Sequence, residues 1–243
     1  MLYQQELLTA LKNRSLHVHN GDMRPASFHV TLNGQKEYES LDEFSRRMNN
    51  LPTITQDQMN ISCMCDVLEH LTKFMLVRDL ASNIPLDSFR ESFSVHIISR
   101  LGEIINPGYL VEAEHDEIKF ELVVENKENK ELYIYIYDMG PFWQIRNLLE
   151  GTYECSPPQH ISIGFTGVFK KRIKMRVPQE MRDKGIYQCE DIIKVFVTSQ
   201  PSSFDLLELP KLGEPRSGDS PKSYITSRAV LKDGSYLSEN WVG

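Results

Sequence analysis

The sequence predicts a mainly β protein, an antiparallel β-sandwich preceded by a small helical region. After Pro85, apolar residues recur at every second position in several short segments, and Gly, Pro or Asn turn signals separate these segments. Before that point the strongest periodicity is helical. We therefore expect a helical lead-in with one short strand over residues 1–84, followed by the sandwich over residues 85–243.

The first half of the lead-in contains short elements. Leu2–Leu11 has apolar residues at helical spacing, whereas Phe28–Gly34 alternates and ends in Asn-Gly, which is typical of a strand entering a turn. Ser40 lies three residues before Glu43, the spacing of a capping box. This pair predicts a helix that extends to about Met48.

The longest predicted helix occupies roughly Gln58–Ala81. Thr55 and Gln58 have the capping-box spacing at its start. Its apolar face consists of Met64, Val67, Leu68, Leu71, Phe74 and Met75.

Two cysteines lie within this helix. Cys63 and Cys65, with His70 nearby, invite a metal-site interpretation, but side chains two positions apart on a helix point in different directions. We therefore interpret both as core cysteines and predict no metal or cofactor site in the chain.

Within the sandwich region, period-two alternation predicts strands separated by turns. The Asn126–Lys130 segment is predicted to be a hairpin loop, and Pro178–Gly185 is predicted to hold a helical turn. The predicted strands are Phe93–Ile97, Phe120–Val124, Leu132–Tyr137, Phe165–Val177 and Asp191–Thr198.

The Asp191–Leu212 stretch is the centre of this arrangement. Ile193, Val195 and Val197 share one strand face, and the other face is also partly apolar, which is typical of a strand in the interior of a sheet. Gln200-Pro201 ends the strand because proline has no N–H to donate. The residues that follow are predicted to form a packed exit loop with one short helical turn.

Composition narrows the classes of function. The chain has 243 residues, of which 40% are hydrophobic and 25% charged, as is ordinary for a globular protein. Its net charge of −7 argues against general nucleic-acid binding, and it has no apolar run long enough to span a membrane. The N-terminus lacks a signal peptide and the four cysteines form no disulfide framework, so we expect a cytoplasmic, reduced location.

No assembled catalytic motif is visible in the sequence. Neither Cys155 nor Cys189 lies in the Ala-Cys-x-Gly setting of a caspase-type nucleophile, and no histidine precedes a glycine. We therefore predict that this chain is not itself an enzyme. The alternative is a self-contained cysteine hydrolase that uses Cys155 or Cys189, which requires a histidine within hydrogen-bond reach of the sulfur.

Two side-chain patterns are candidate binding surfaces. The first is aromatic, because tyrosine and tryptophan suit protein interfaces, although tyrosines also occupy half-buried sheet faces; it comprises Tyr133, Tyr135, Tyr137 and Trp143. The second is basic and suits phosphate or an acidic partner, although a solvated edge strand has the same appearance; it comprises Lys170, Arg172, Lys174 and Arg176.

Four stretches together resemble a known family. They are Leu132–Asn147, Gly151–Pro158, Phe165–Arg182 and Asp191–Leu212. Their order is similar to the C-terminal region of fungal caspase-like proteins, those described as interleukin-converting-enzyme-like p20 domain proteins, and to the Ig-like domain that trails caspase-like peptidases in bacteria. The resemblance covers about residues 70–242.

The resemblance implies an Ig-like sandwich that serves a caspase-like peptidase as a non-catalytic regulatory or substrate-recruiting module. In such proteins the peptidase domain lies upstream, and its His and Cys motifs have no counterpart in this chain. The expected partner is therefore a protein, either that peptidase domain or its substrates, and a free-standing adaptor is the related alternative. Glu239–Val242 looks like the start of a last strand that is cut short.

Overall fold

The computed structural model describes residues 2–14, 16, 28–52, 54–56, 60–81, 87–109, 118–149, 153–156, 167–214 and 241–242. The helices are α1 (Leu2–Asn13), α2 (Ile61–Asp79), α3 (Asp87–Glu91) and α4 (Gln179–Arg182). The strands are β1 (Phe28–Leu32), β2 (Glu37–Asp42), β3 (Ile54–Thr55), β4 (Phe93–Ile98), β5 (Ile104–Ile105), β6 (Ile118–Asn126), β7 (Leu132–Met139), β8 (Ile145–Asn147), β9 (Glu154–Ser156), β10 (Val168–Met175), β11 (Ile192–Thr198) and β12 (Trp241–Val242).

The strands form three sheets, so the prediction of a mainly β protein with antiparallel pairing is confirmed. The first sheet has the order β1-β2-β3 and the second β10-β6-β4-β5. The third has the order β12-β11-β7-β8, with β9 also paired to β7. The defined registers, among them Val168↔Glu125 and Phe93↔Asn126, are antiparallel.

The chain divides into two compact units. One contains Met1–Leu80, Asp138–Arg146 and Leu207–Tyr224. The other contains Ala81–Tyr137, Asn147–Leu206 and Ile225–Gly243. The predicted boundary at residues 84–85 lies outside the described residues, close to the first break between the units.

The first unit has a core between α1, α2 and the sheet β1-β2-β3. Leu11, Met64, Cys65 and Leu68 are buried together, and Phe28, Tyr38 and Ile54 from the three strands pack against them. Arg14 connects the two helices through ion pairs with Asp66 and Glu69 of α2.

The N-terminal region differs from the prediction of one short strand and a helix after Ser40. Ser40 lies in β2, and the described part of the region contains a three-stranded sheet. The Asp42 carboxylate accepts the backbone N–H of Phe44 and of Arg46, so it closes a turn instead of starting a helix. The predicted helix to Met48 is therefore wrong.

Helix α2 is present but begins later than predicted. Its N-cap is Asn60, whose side-chain oxygen accepts the Ser62 N–H at 2.9 Å, whereas Thr55 belongs to β3. Cys65 is fully buried and Cys63 is exposed, because positions two apart point to different sides of a helix. Only one of the two predicted core cysteines is thus in the core.

Two sheets contribute to a buried hydrophobic cluster of the second unit. From the sheet β10-β6-β4-β5 come Phe93, Leu122, Val124 and Ile173. From the sheet that contains β7 and β11 come Leu132, Ile134, Ile136 and Val197. Leu149 belongs to the same buried cluster, and Ile193 and Val195 pack against it partly buried.

Several predicted elements of this unit are confirmed. β11 lies between β12 and β7, as a strand apolar on both faces requires. The predicted helical turn after Pro178 is α4, and the exit segment contains a short 3₁₀ turn at Asp205–Leu207. Of the predicted last strand, Trp241 and Val242 form β12, with Val242 opposite Val197, and Glu239 and Asn240 lie outside the described residues.

The predicted hairpin at Asn126–Lys130 is wrong. β6 and β7 belong to different sheets, so the segment carries the chain from one sheet to the other. The Asn126 side chain donates to the Lys130 carbonyl at 2.8 Å and accepts the Glu128 N–H, which fixes this connection locally.

Candidate interaction surfaces

The β7 strand separates aliphatic from aromatic side chains. Leu132, Ile134 and Ile136 face the core of the second unit, and the three tyrosines alternate with them. Tyr135 and Tyr137 have no exposed surface, whereas Tyr133 is half-buried. Two of the four predicted aromatic contact residues are therefore buried and cannot contact a partner in this conformation.

The segment that follows β11 covers Tyr135. The Phe204 ring lies edge-on to Tyr135 at 4.6 Å and stacks on Phe196 at 4.8 Å. The Ser202 N–H donates to the Tyr135 hydroxyl at 2.6 Å. Together with Tyr137, which is edge-on to Phe196 at 6.1 Å, these rings form an aromatic layer on the opposite side of the sheet from the core.

Two more accessible tyrosines, Tyr133 and Tyr153, border this layer, and we call this pair the aromatic rim. Their rings meet edge-on at 5.2 Å, and 38% of the Tyr153 surface is exposed. The sequence analysis did not single out Tyr153. In the structure β9 pairs with β7 so that Cys155 lies opposite Tyr133. Tyr153, two residues before Cys155, therefore lies on the same face of the sheet as the tyrosines of β7. Half-exposed tyrosines supply contact area with few torsions to freeze, which suits binding to a protein.

Cys155 lies beside the aromatic rim in an environment that disfavours a nucleophilic thiolate. Cys155 is exposed, but desolvation by its neighbours raises the pKa of its thiol. The Glu131 carboxylate, which also accepts a hydrogen bond from the thiol, raises that pKa further. The same two causes, desolvation first and the Glu131 charge second, raise the pKa of Tyr133. A catalytic cysteine needs the opposite shift. Cys189 is half-buried.

Trp143 lies in the first unit and contributes mainly to local structure. It has a positive φ of 63° in the turn that joins β7 to β8, which is unusual for a bulky side chain. The turn is held by the His70 Nε2 to Trp143 carbonyl contact at 2.7 Å and by the indole N–H donating to the Asn49 carbonyl at 3.0 Å. The indole ring also lies edge-on to Phe74 at 5.1 Å. These contacts explain the strained backbone without a ligand.

Four alternating basic residues, three in β10 and one directly after it, form an exposed basic strip. They are Lys170, Arg172, Lys174 and Arg176. Lys170 pairs with Glu121 of β6 at 3.0 Å. β10 is an end strand of its sheet, and Lys171 on the opposite face of the strand is directed to the core side. Both features are typical of an edge strand protected against pairing with another sheet, and they also provide a surface for carboxylates.

The described residues contain no group of three or more His, Cys, Asp or Glu side chains arranged to hold a metal ion. In that part of the chain, no helix combines the length and the apolar character needed to cross a membrane. No family model, curated protein or solved structure matches the chain in the comparisons with known proteins.

Proposed function

We propose that this chain is a non-catalytic accessory module of a caspase-like cysteine peptidase, acting in the cytoplasm through contacts with the peptidase domain or its substrates. In this proposal the second unit is an Ig-like β-sandwich. The buried cluster to which two antiparallel sheets contribute supports a sandwich arrangement.

The observation that carries the proposal is the aromatic rim of Tyr133 and Tyr153. The layer beneath it is fixed by buried rings, so the two tyrosines are held in place before binding. Preorganised aromatic side chains lose little entropy in a complex and are common energetic centres of interfaces. Glu131 lies beside the rim, where its charge acts on Tyr133, and it would select a partner surface with basic groups.

The raised pKa of Cys155 argues against a cysteine hydrolase that uses this residue as its nucleophile. A thiol that binds its proton more tightly than usual is a poor nucleophile at neutral pH. Incubating the purified chain with a peptide library, beside the Cys155→Ala/Cys189→Ala double variant, distinguishes the two functions. We expect equal, background cleavage from both proteins, whereas cleavage that disappears in the variant would establish the hydrolase.

The binding test uses a caspase-like peptidase domain encoded in or beside the same gene. Isothermal titration should give a dissociation constant that rises about five- to thirtyfold for Tyr133→Ala, the range of an interfacial tyrosine that contributes about 1–2 kcal/mol. Tyr187→Ala is the matched control, since Tyr187 is 70% exposed and lies in the loop before β11. Equal affinities of the two variants, or no binding by the wild-type chain, would refute the proposed contact surface.

A further inference from the structure

The β1 strand is the edge of the first sheet, and its exposure is unusual for an apolar strand. Beyond Phe28, all four of its residues are exposed, including Val30 at 40% and Leu32 at 42%. In the described part of the chain, β2 is the only strand that pairs with it. A strand with apolar side chains and an open edge is a template for pairing with another strand.

The hydrogen bonds of the hairpin show which backbone groups point away from β2. The Asn33 N–H donates to the Glu37 carbonyl at 2.9 Å, and in the same register Thr31 opposes Glu39 and His29 opposes Leu41. In an antiparallel pair, bonded and non-bonded residue pairs alternate.

Phe28, Val30 and Leu32 therefore direct their N–H and C=O groups to the open edge. A hydrogen bond of β2 supports this alternation. Ser40 is the partner of Val30, and its carbonyl accepts the Met48 N–H, so this carbonyl points away from β1.

We propose that β1 pairs with β1 of a second copy of this chain, antiparallel and centred on Val30. In that register Phe28 of one copy opposes Leu32 of the other, and Val30 opposes Val30 on the twofold axis. Each of these pairs exchanges both backbone hydrogen bonds, because their N–H and C=O groups point to the open edge. Their side chains share one face of the sheet, so the apolar strip continues across the axis.

Charge favours self-pairing at the β1 edge over self-pairing at the β10 edge, the other long end strand. Phe28–Leu32 contains no Asp, Glu, Lys or Arg, so self-pairing places no like charges opposite each other. The β10 edge carries four basic residues within Lys170–Lys174, and antiparallel self-pairing there would oppose cation to cation. The remaining described end strands have two or three residues each, too few for a stable ladder.

The size of the strand predicts a weak dimer. A five-residue strand with neighbouring side chains buries less than the roughly 1,600 Å² of a standard interface. Phe44, which is 70% exposed in the turn at the Phe28 end of the hairpin, adds apolar surface near the contact. We therefore expect reversible, concentration-dependent dimerisation of the full chain.

Sedimentation velocity over a concentration series of the purified full chain tests the pairing. The wild-type mass should rise from 28.1 kDa toward twice that value. Val30→Lys and Val30→Glu should each remain monomeric, with dissociation constants raised at least about tenfold, because like charges then meet on the axis. An equimolar mixture of these two variants should regain the dimer, since the introduced charges become complementary.

Two further variants separate loss of pairing from loss of folding. Val30→Pro removes an N–H that points away from β2, so it should keep the hairpin and the circular dichroism spectrum while abolishing the dimer. Val30→Thr keeps the N–H and the β-branched shape and should dimerise. A wild-type chain that stays monomeric at the highest concentration, a dimer that persists in Val30→Lys, or a charge-swapped mixture that stays monomeric would each overturn the proposal.

Discussion

Replacing Tyr135 with phenylalanine tests whether the segment after β11 is fastened to the sheet. The ring of Tyr135 is fully buried and its hydroxyl accepts the Ser202 N–H at 2.6 Å. Phenylalanine keeps the ring and its edge-on contact with Phe204, so the variant opens no cavity of ring size. What is lost is the acceptor of a half-buried backbone N–H, which costs about 1–2 kcal/mol.

This free energy corresponds to a fall in melting temperature of about 2–8 °C for a chain of this size. Urea denaturation gives the change in the free energy of unfolding, and hydrogen exchange of the Ser202 amide reports the local bond. We expect faster exchange at Ser202, because the segment opens more easily when its N–H has no acceptor.

The matched control is Tyr133→Phe. The Tyr133 hydroxyl oxygen lies 3.4 Å from the Glu131 carboxylate, longer than an ordinary O–H···O bond, and the residue is half-buried. This variant should change stability by less than about 0.5 kcal/mol. Equal stability of the two variants, with unchanged exchange at Ser202, would refute the assignment of this bond as the fastening of the exit segment.

Two further predictions concern the core and the thiol beside the aromatic rim. Val197→Asp should destabilise the chain by more than about 4 kcal/mol, because Val197 is 1% exposed in the core and its replacement buries an unpaired carboxylate. Val195→Asp should destabilise the chain less, since the Val195 side chain is only partly buried. An unchanged melting temperature of Val197→Asp would contradict the strand assignment. Cys155 should be alkylated by iodoacetamide at neutral pH more slowly than a free cysteine, although it is exposed, because desolvation and the Glu131 charge raise the pKa of its thiol and so lower its thiolate fraction. Glu131→Gln removes a negative charge, should lower that pKa and should speed the reaction, as followed by peptide mass spectrometry; a rate that stays the same would show that the Glu131 charge does not act on the sulfur.

Local sequence patterns determined the identity of many elements. Alternation in β7, β10 and β11 specifies which side chains share a face, because successive residues of a strand point to opposite sides. The break at Pro201 and the polar stretch after Pro178 likewise reflect local backbone chemistry. These features depend on neighbours in the chain, so they can be predicted without knowing the fold.

Local sequence patterns were ambiguous where two kinds of local structure, such as a helix N-terminus and a turn, favour the same residue types. The Ser40–Glu43 spacing fits a capping box, but the Asp42 carboxylate closes a turn by accepting two backbone N–H groups. Likewise, the turn signal at Asn126–Lys130 does not specify whether the next strand returns to the same sheet. Strand partners are chosen by packing between distant segments, which no local period encodes.

The accessible surface was decided only by tertiary structure. The sequence placed Tyr133, Tyr135 and Tyr137 on one face, and it was the arrival of Ser202 and Phe204, 67 and more residues later in the chain, that buried Tyr135. The open edge of β1 has the same origin, since an alternating strand shows nothing of whether a neighbour will pair with it. Periodicity follows from the covalent chain, whereas burial and pairing follow from which distant surfaces meet.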